Sequence, residues 1–328
     1  MNRREFLSTS AALGLGLSGM FGQATAQGNN QSDWTIYGAP ALPSITIATA
    51  LLNGKLGKKY KSQLKIWNSP DQLRAGVANG TFKVMMAPSN VGVNLANQGA
   101  EVGQINMLTQ GLNNILTKNK PINELGDLYG KKMIMPFKND MPDIVFCVLF
   151  QKLGLDISRI QLDYAVTPPE ALAMFLSKGY DAAFLPEPMA SASILKGKTV
   201  GVKVVRNFDI LNVWKQAFNQ KQALIPQAGI IANKAFFAAH QDDFALLHND
   251  LVNALSWVKA NSQSAANIGT NYLPAAAPAI AQSIQHSNLC VLKSSDIKDE
   301  MMNFFEILLS HNPKLLGGKL PSNDFFLW

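Results

Sequence analysis

The sequence predicts an α/β protein of two lobes, and three observations predict it. From Trp34 onward, short β-rich runs alternate with stretches of helical length, the pattern of parallel sheets covered by helices. About 300 residues beyond an N-terminal export signal exceed what one core usually supports, and 47% hydrophobic residues suffice to fill two. Two stretches about 98 residues apart also share one plan. The first runs from a strand into Ser69-Pro70-Asp71-Gln72, a helix closed by Asn79-Gly80, a second strand and the turn Pro88-Ser89-Asn90. The second runs from a strand into Thr167-Pro168-Pro169-Glu170, a helix closed by Gly179, a second strand and the turn Pro186-Glu187-Pro188. Ser69 and Thr167 are placed to cap their helices, Pro70 and Pro168 suit the first helical position, and Gln72 and Glu170 complete capping boxes. Matching signals at matching positions point to related lobes.

The first 26 residues have the layout of a bacterial secretion signal: a basic start, an apolar stretch from Ala11 to Phe21, and Ala24-Thr25-Ala26 before Gln27. Arg3-Arg4-Glu5-Phe6-Leu7 resembles the twin-arginine export signature. The apolar run is shorter than the roughly 20 residues a bilayer-spanning helix needs. Gly14 to Gly19 matches a dinucleotide-binding pattern, but no strand precedes it and it falls inside the signal. The mature chain is expected to start at Gln27, without a lipid anchor.

Strands are expected at 35–37, 64–67, 84–87, 104–108, 132–135, 160–164, 182–185 and 202–205, with helices between. The chain is expected to cross outward near 115–122 and to return through the apolar run 222–232, which contains Pro226. Residues 243–259 place Phe244, Leu247, Leu251, Leu255 and Val258 at helical spacing, a core stripe followed by further helices. The expected division is a signal peptide at 1–26, lobe one at 27–118 and 221–328, and lobe two at 119–220.

The formal net charge is +7, or +6 once Arg3, Arg4 and Glu5 are removed, and favours anions only weakly. The lysines are dispersed, with one local cluster at Lys55, Lys58, Lys59 and Lys61, which disfavours nucleic-acid binding. Cys147 and Cys290 sit in apolar settings and are expected as free thiols. His240, His248, His286 and His311 lack metal-ligand spacing, so no metal site is expected. Asn79-Gly80 is expected to end its helix through a left-handed residue.

Gly179-Tyr180-Asp181-Ala182-Ala183-Phe184-Leu185-Pro186-Glu187-Pro188, followed by Ala190-Ser191 and Gly197, resembles the signature of nitrate-, sulfonate- and taurine-type substrate-binding proteins of ABC transporters. That family also includes pyrimidine-precursor binders. Supporting features are Ala87-Pro88-Ser89-Asn90, Gly130-Lys131-Lys132 within 125–135, and Leu320-Pro321 with Phe325-Phe326. The likeness extends over most of residues 33–328. The resemblance implies a type II periplasmic-binding-protein fold, two α/β lobes joined by two crossovers that close on a ligand by hinge motion. It also implies a periplasmic monomer that delivers a small-molecule ligand to an ABC permease of the inner membrane, without a cofactor. The sequence departs from sulfonate binders in showing no clear cleft arginine: Arg74, Arg159 and Arg206 are the arginines beyond the signal. The ligand class therefore stays open between an anion and a polar organic molecule.

In open α/β sheets, ligands sit beyond the carboxyl ends of strands, where helix N-termini suit polar groups. Those positions are 38–42, Asn68 and Ser69, Ser89 and Asn90, Asn139 and Asp140, and Glu187. Capping explains Ser69 and Asp140 as well as ligand contact does. Glu187 lies between two prolines that shape the turn without needing a carboxylate, which points to a ligand or hinge role and a nitrogen-containing ligand. Trp214, in an irregular segment before the return crossing, is a candidate to stack on a ring, whereas core packing leads for Trp67. Pyrimidine synthases that share this architecture carry a cysteine-rich motif and a reacting histidine; neither is evident here, and no Gly-x-Ser-x-Gly elbow is present. A binding protein is expected, with a periplasmic enzyme or a sensor docking on a receptor as alternatives.

Overall fold

The β-rich runs become strands of two separate sheets in the computed structural model, which describes residues 34–328. The export signal and its cleavage site lie outside the described residues. The first sheet contains β1 (Thr35–Gly38), β2 (Gln63–Ile66), β3 (Val84–Pro88), β4 (Val102–Gln104) and β5 (Asn106–Thr109). The second contains β6 (Asn113–Lys118), β7 (Lys132–Pro136), β8 (Gln161–Ala165), β9 (Ala182–Pro186) and β10 (Val204–Arg206). The chain then returns to the first sheet as β11 (Ala228–Asn233) and later adds β12 (Leu289–Lys293).

The strand orders explain the internal similarity seen in the sequence. In the first sheet β1 lies between β2 and β3, parallel to both, and β11 pairs antiparallel with β3. In the second, β7 lies between β8 and β9, parallel to both, and β6 pairs antiparallel with β9. Each sheet therefore carries the same three-strand parallel unit closed by an antiparallel strand from a crossover. This is the periplasmic-binding-protein arrangement.

The strands differ from the sequence reading in four places, one being that the return run forms the strand β11 as well as a crossing. The expected strand at 104–108 is broken at Ile105 into β4 and β5. Gly229 of β11 approaches so closely that a Cβ there would sit 1.8 Å from the Asn106 carbonyl oxygen. The outward crossing contains β6, whose apolar Ile115 and Leu116 are flanked by polar residues and pair with β9 and β10. β12, which holds the strand-like setting of Cys290, lies among the further helices expected there and extends the first sheet next to β5.

Helices cover both sheets. Phe244, Leu247, Leu251 and Val258 are buried on the helix Gln241–Ala260, which packs on the helix Ser44–Asn53. The C-terminal helix Lys298–His311 places Phe304, Phe305 and Leu308 in one apolar cluster with Phe146, Phe184 and Trp214 from the second sheet's surroundings. Likewise the helix Ala277–Ser283 packs against Met189–Thr199. The segment expected to belong to lobe one alone thus reaches helices of both sheets. Among the described residues no helix is long and apolar enough to cross a membrane.

Candidate functional site

The carboxyl ends of β1, β3, β7 and β9 and the two crossovers converge on one cavity of about 100 Å³, the same order as cavities of about 150 Å³ that hold one aromatic ring. Its lining is strongly apolar: Trp67, Leu73, Met86, Val91, Phe137 and Met141 contribute bulk, and six prolines, at 40, 70, 88, 142, 168 and 186, shape the wall. Proline has no backbone N–H, so this wall offers few donors. The polar residues of the lining other than Trp67 are Asn113, Asp140 and Gln227, and no Lys, Arg or His lines it.

Two of the helix N-termini around the cavity have a donor engaged by a side-chain cap. Ser69 Oγ accepts from Gln72 N at 3.2 Å and Thr167 Oγ1 from Glu170 N at 3.3 Å, as expected of caps. The reciprocal bonds fall one residue early, with Asn68 N donating to Gln72 Oε1 and Val166 N to Glu170 Oε2. Asn139 N donates to Asp143 Oδ2 at 2.8 Å. At the two capped ends an anion would compete with hydroxyl, amide and carboxyl groups already in place.

Asp140 behaves differently. It precedes the helix Met141–Lys152 at the capping position, yet its carboxylate makes no capping bond. It reaches instead to Arg74 Nη2 of the helix Pro70–Ala78, at 3.4 Å. Burial raises its carboxyl above the usual range, against the pull of Arg74.

The crossovers are tied to each other beside the cavity. Ile225 N donates to Gln110 O at 3.0 Å, and Leu112 N donates to Gln227 Oε1 at 2.8 Å. Ser89 belongs to this tie: its Oγ donates to Pro226 O and its N to Gln227 O. Glu187 N donates to Leu112 O at 3.0 Å. No hydrogen bond among the described residues uses Gln227 Nε2, and Asn113 Oδ1 is buried without a partner. These two amides supply the cavity's neutral polar end.

The expected site residues separate on this geometry. Asn68 is exposed and lines a wider adjoining groove of about 540 Å³, which shares Trp67, Phe137 and Pro168 with the cavity. Ser69 caps its helix, and Asn139 is an exposed left-handed residue with φ 63°. Asn90 is buried and its Oδ1 has no partner, but it does not line the cavity. Glu187 is fully buried in an ion pair with Arg206 Nη1 at 2.5 Å and accepts from Ser191 N and Oγ. Both of its carboxylate oxygens are engaged by these partners, and Glu187 is absent from the cavity lining. Burial raises its carboxyl, with Arg206 and Ser191 opposing. Trp214 is also fully buried: it lies on the helix Ile210–Ala217, 4.4 Å from the Phe218 ring and 5.8 Å from Phe304. A regular helix replaces the irregular segment expected there, and its buried face takes the indole into the core.

Trp67 both packs and lines the site, with Nε1 donating to Met86 O at 3.0 Å. Asn113, Phe137 and Gln227 are lining residues the sequence reading passed over, whereas Asp140 lines the cavity at a position where ligand contact and capping were weighed together. Phe137 has φ 63°, a strained conformation for a bulky residue, in the turn that aligns it with Asp140. Gln227 carries a visible signal, one amide beside Pro226 within an apolar return segment.

No family model and no curated protein sequence matches the chain. Solved structures do. An ABC transporter protein from Parabacteroides distasonis superposes with TM-score 0.74 at 19% identity, covering 90% of this chain and 98% of that one. The periplasmic aliphatic sulphonate binding protein of Escherichia coli gives 0.67 at 18%, covering 90% and 91%. The alkanesulfonate-binding protein of Xanthomonas axonopodis pv. citri, bound to MOPS, gives 0.60 at 16%, covering 86% and 95%.

Proposed function

We propose that this chain is an exported solute-binding protein that captures a small organic molecule between two lobes, each built on one sheet, and delivers it to the membrane permease of an ABC importer. The observation that carries the reading is the cavity at the carboxyl ends of strands from both sheets, walled by the two crossovers. Apolar walls with a few convergent polar groups are the usual makeup of a small-molecule site. The similar folds of transport-binding proteins support the role. The lining favours an organic ligand with an apolar body over a small inorganic anion, because no cation faces it.

Binding is favoured over catalysis. The lining contains no His, Cys or Ser. Both cysteines are free, and burial pushes their thiols up to about 12, far from nucleophilic thiolates at neutral pH. Export is read from Arg3-Arg4 and the Ala24-Thr25-Ala26 cleavage signal, which supports a periplasmic site of action for the mature chain.

A thermal-shift screen of residues 27–328 against aromatic amines, pyrimidines, amino acids, taurine, aryl sulfonates and nitrate tests the role. A ligand at 100 times its Kd adds about 2.7 kcal/mol of stability, which raises the midpoint by several degrees. Stabilisation by one organic class is the expected outcome. Stabilisation by nitrate alone contradicts the ligand reading, and no stabilisation across the classes contradicts solute capture in this cavity.

A further inference from the structure

Asp140 is the charged residue of the cavity lining. Resting on the solute-binding role, we propose that Asp140 selects the ligand, so that the site takes an organic cation or protonated amine with a flat apolar body, whose N–H displaces Arg74 from the carboxylate.

The carboxylate has no competing structural duty. It makes no capping bond to its own helix, and the neighbouring backbone donor, Asn139 N, is taken by Asp143. Its single ion-pair partner is held loosely. The Arg74–Asp140 contact of 3.4 Å is well beyond the roughly 2.7–2.9 Å of a strong charge-assisted bond. Arg74 is shared with Asp71, also at 3.4 Å, and its side chain is 44% exposed. A ligand N–H that approached Asp140 inside the cavity would gain a shorter bond and release Arg74 to water, where the cost of freeing it is small.

The rest of the lining agrees with a cation. Trp67 and Phe137 contribute aromatic rings to it, and aromatic rings attract organic cations when water is excluded. An anion meets the opposite situation. The positive end of the Met141–Lys152 helix already faces the carboxylates of Asp140 and Asp143, and no basic residue lines the cavity. The selectivity is thus the inverse of that of the sulphonate-binding and alkanesulfonate-binding proteins with similar folds.

Three probes of matched shape test this: benzylammonium, benzyl alcohol and benzylsulfonate, titrated by calorimetry into mature wild type, Asp140→Asn and Arg74→Gln. Wild type is expected to bind the ammonium at least about tenfold more tightly than the alcohol, the lower end of a hydrogen bond to a charged group. Asp140→Asn is expected to abolish that preference while still binding the alcohol, a readout that a merely structural role would not move. Arg74→Gln is expected to keep the preference and tighten the ammonium several-fold, since a competitor is gone. Preference for the sulfonate, equal binding of all three, or a preference that survives in Asp140→Asn overturns the selectivity yet leaves solute capture standing. Silence with all three probes also overturns it, and the wider screen then decides separately whether the cavity binds a solute.

Discussion

Glu187 and Asp140 are both withdrawn from solvent, and their surroundings assign them opposite work. Around Glu187, the Arg206 guanidinium and two Ser191 donors engage both oxygens of a fully buried carboxylate that does not line the cavity. Removing one member of such a buried pair costs about 3–5 kcal/mol, because the other charge is left uncompensated. Glu187→Gln is therefore expected to lower the unfolding free energy measured in urea by that amount and leave ligand affinity unchanged. Weaker binding with unaltered stability would return Glu187 to the site. Asp140 is expected to show the reverse. Its carboxyl is raised in the folded chain by burial, with Asp71 and Asp143 adding to the rise and Arg74 opposing it. A raised carboxyl stabilises the fold below its unfolded value, near 3.9, and loses that contribution as pH rises through the folded value. At neutral pH the ionised Asp140 is thus a cost to the ligand-free protein. Asp140→Asn is expected to raise the ligand-free melting temperature at pH 7 and to lose that gain as pH falls towards 4. A destabilised variant at pH 7 would mean that the Arg74 pair outweighs the burial.

Helix starts were the most legible elements, because capping is written in residue type and spacing. Ser69 and Thr167 cap the helices Pro70–Ala78 and Pro168–Ser177 as expected, and Gly80 takes the left-handed φ of 74° that Asn79-Gly80 announces. The parallel units followed from the same signals, since β-rich runs between capped helices can close into few topologies. Side-chain direction was not legible at the loops. Asp140 and Ser69 occupy the same kind of capping position, but the left-handed turn at Phe137 and Asn139 swings the first away from its helix and Asp143 takes over its neighbour's donor. Glu187 is drawn inward by Arg206, which is nineteen positions further on, a pairing no local pattern encodes. Trp214 was misplaced because its segment is short. The eight-residue helix Ile210–Ala217 buries Ile210, Leu211 and Trp214 against a C-terminal helix far away in sequence. The net positive charge was a poor guide for the same reason: lysines spread over the surface say nothing of a lining that holds none.

At the scale of the whole molecule, the two sheets are joined by more than their crossovers. Phe304 and Phe305 of the C-terminal helix share an apolar cluster with Trp214, Phe146 and Phe184, so part of the second sheet's core is supplied by a segment that follows the first sheet's return strand. The helix Ala277–Ser283 adds a second such contact against Met189–Thr199. Neither sheet can lose its packing without exposing apolar surface on the other side. Unfolding is therefore expected as one calorimetric transition in which the two sheets melt together, although the fold carries two sheets of separate strand order. Trp214→Ala tests this where the elements meet: emptying the space of a fully buried indole costs about 3–5 kcal/mol, and the whole transition is expected to move to lower temperature without splitting. Ligand affinity should stay within about twofold, since the indole is absent from the cavity lining and distant, independent sites couple weakly. A variant that melts in two steps would show that the bridging helices belong energetically to one sheet. A variant with intact stability and lost binding would instead put Trp214 back beside the ligand.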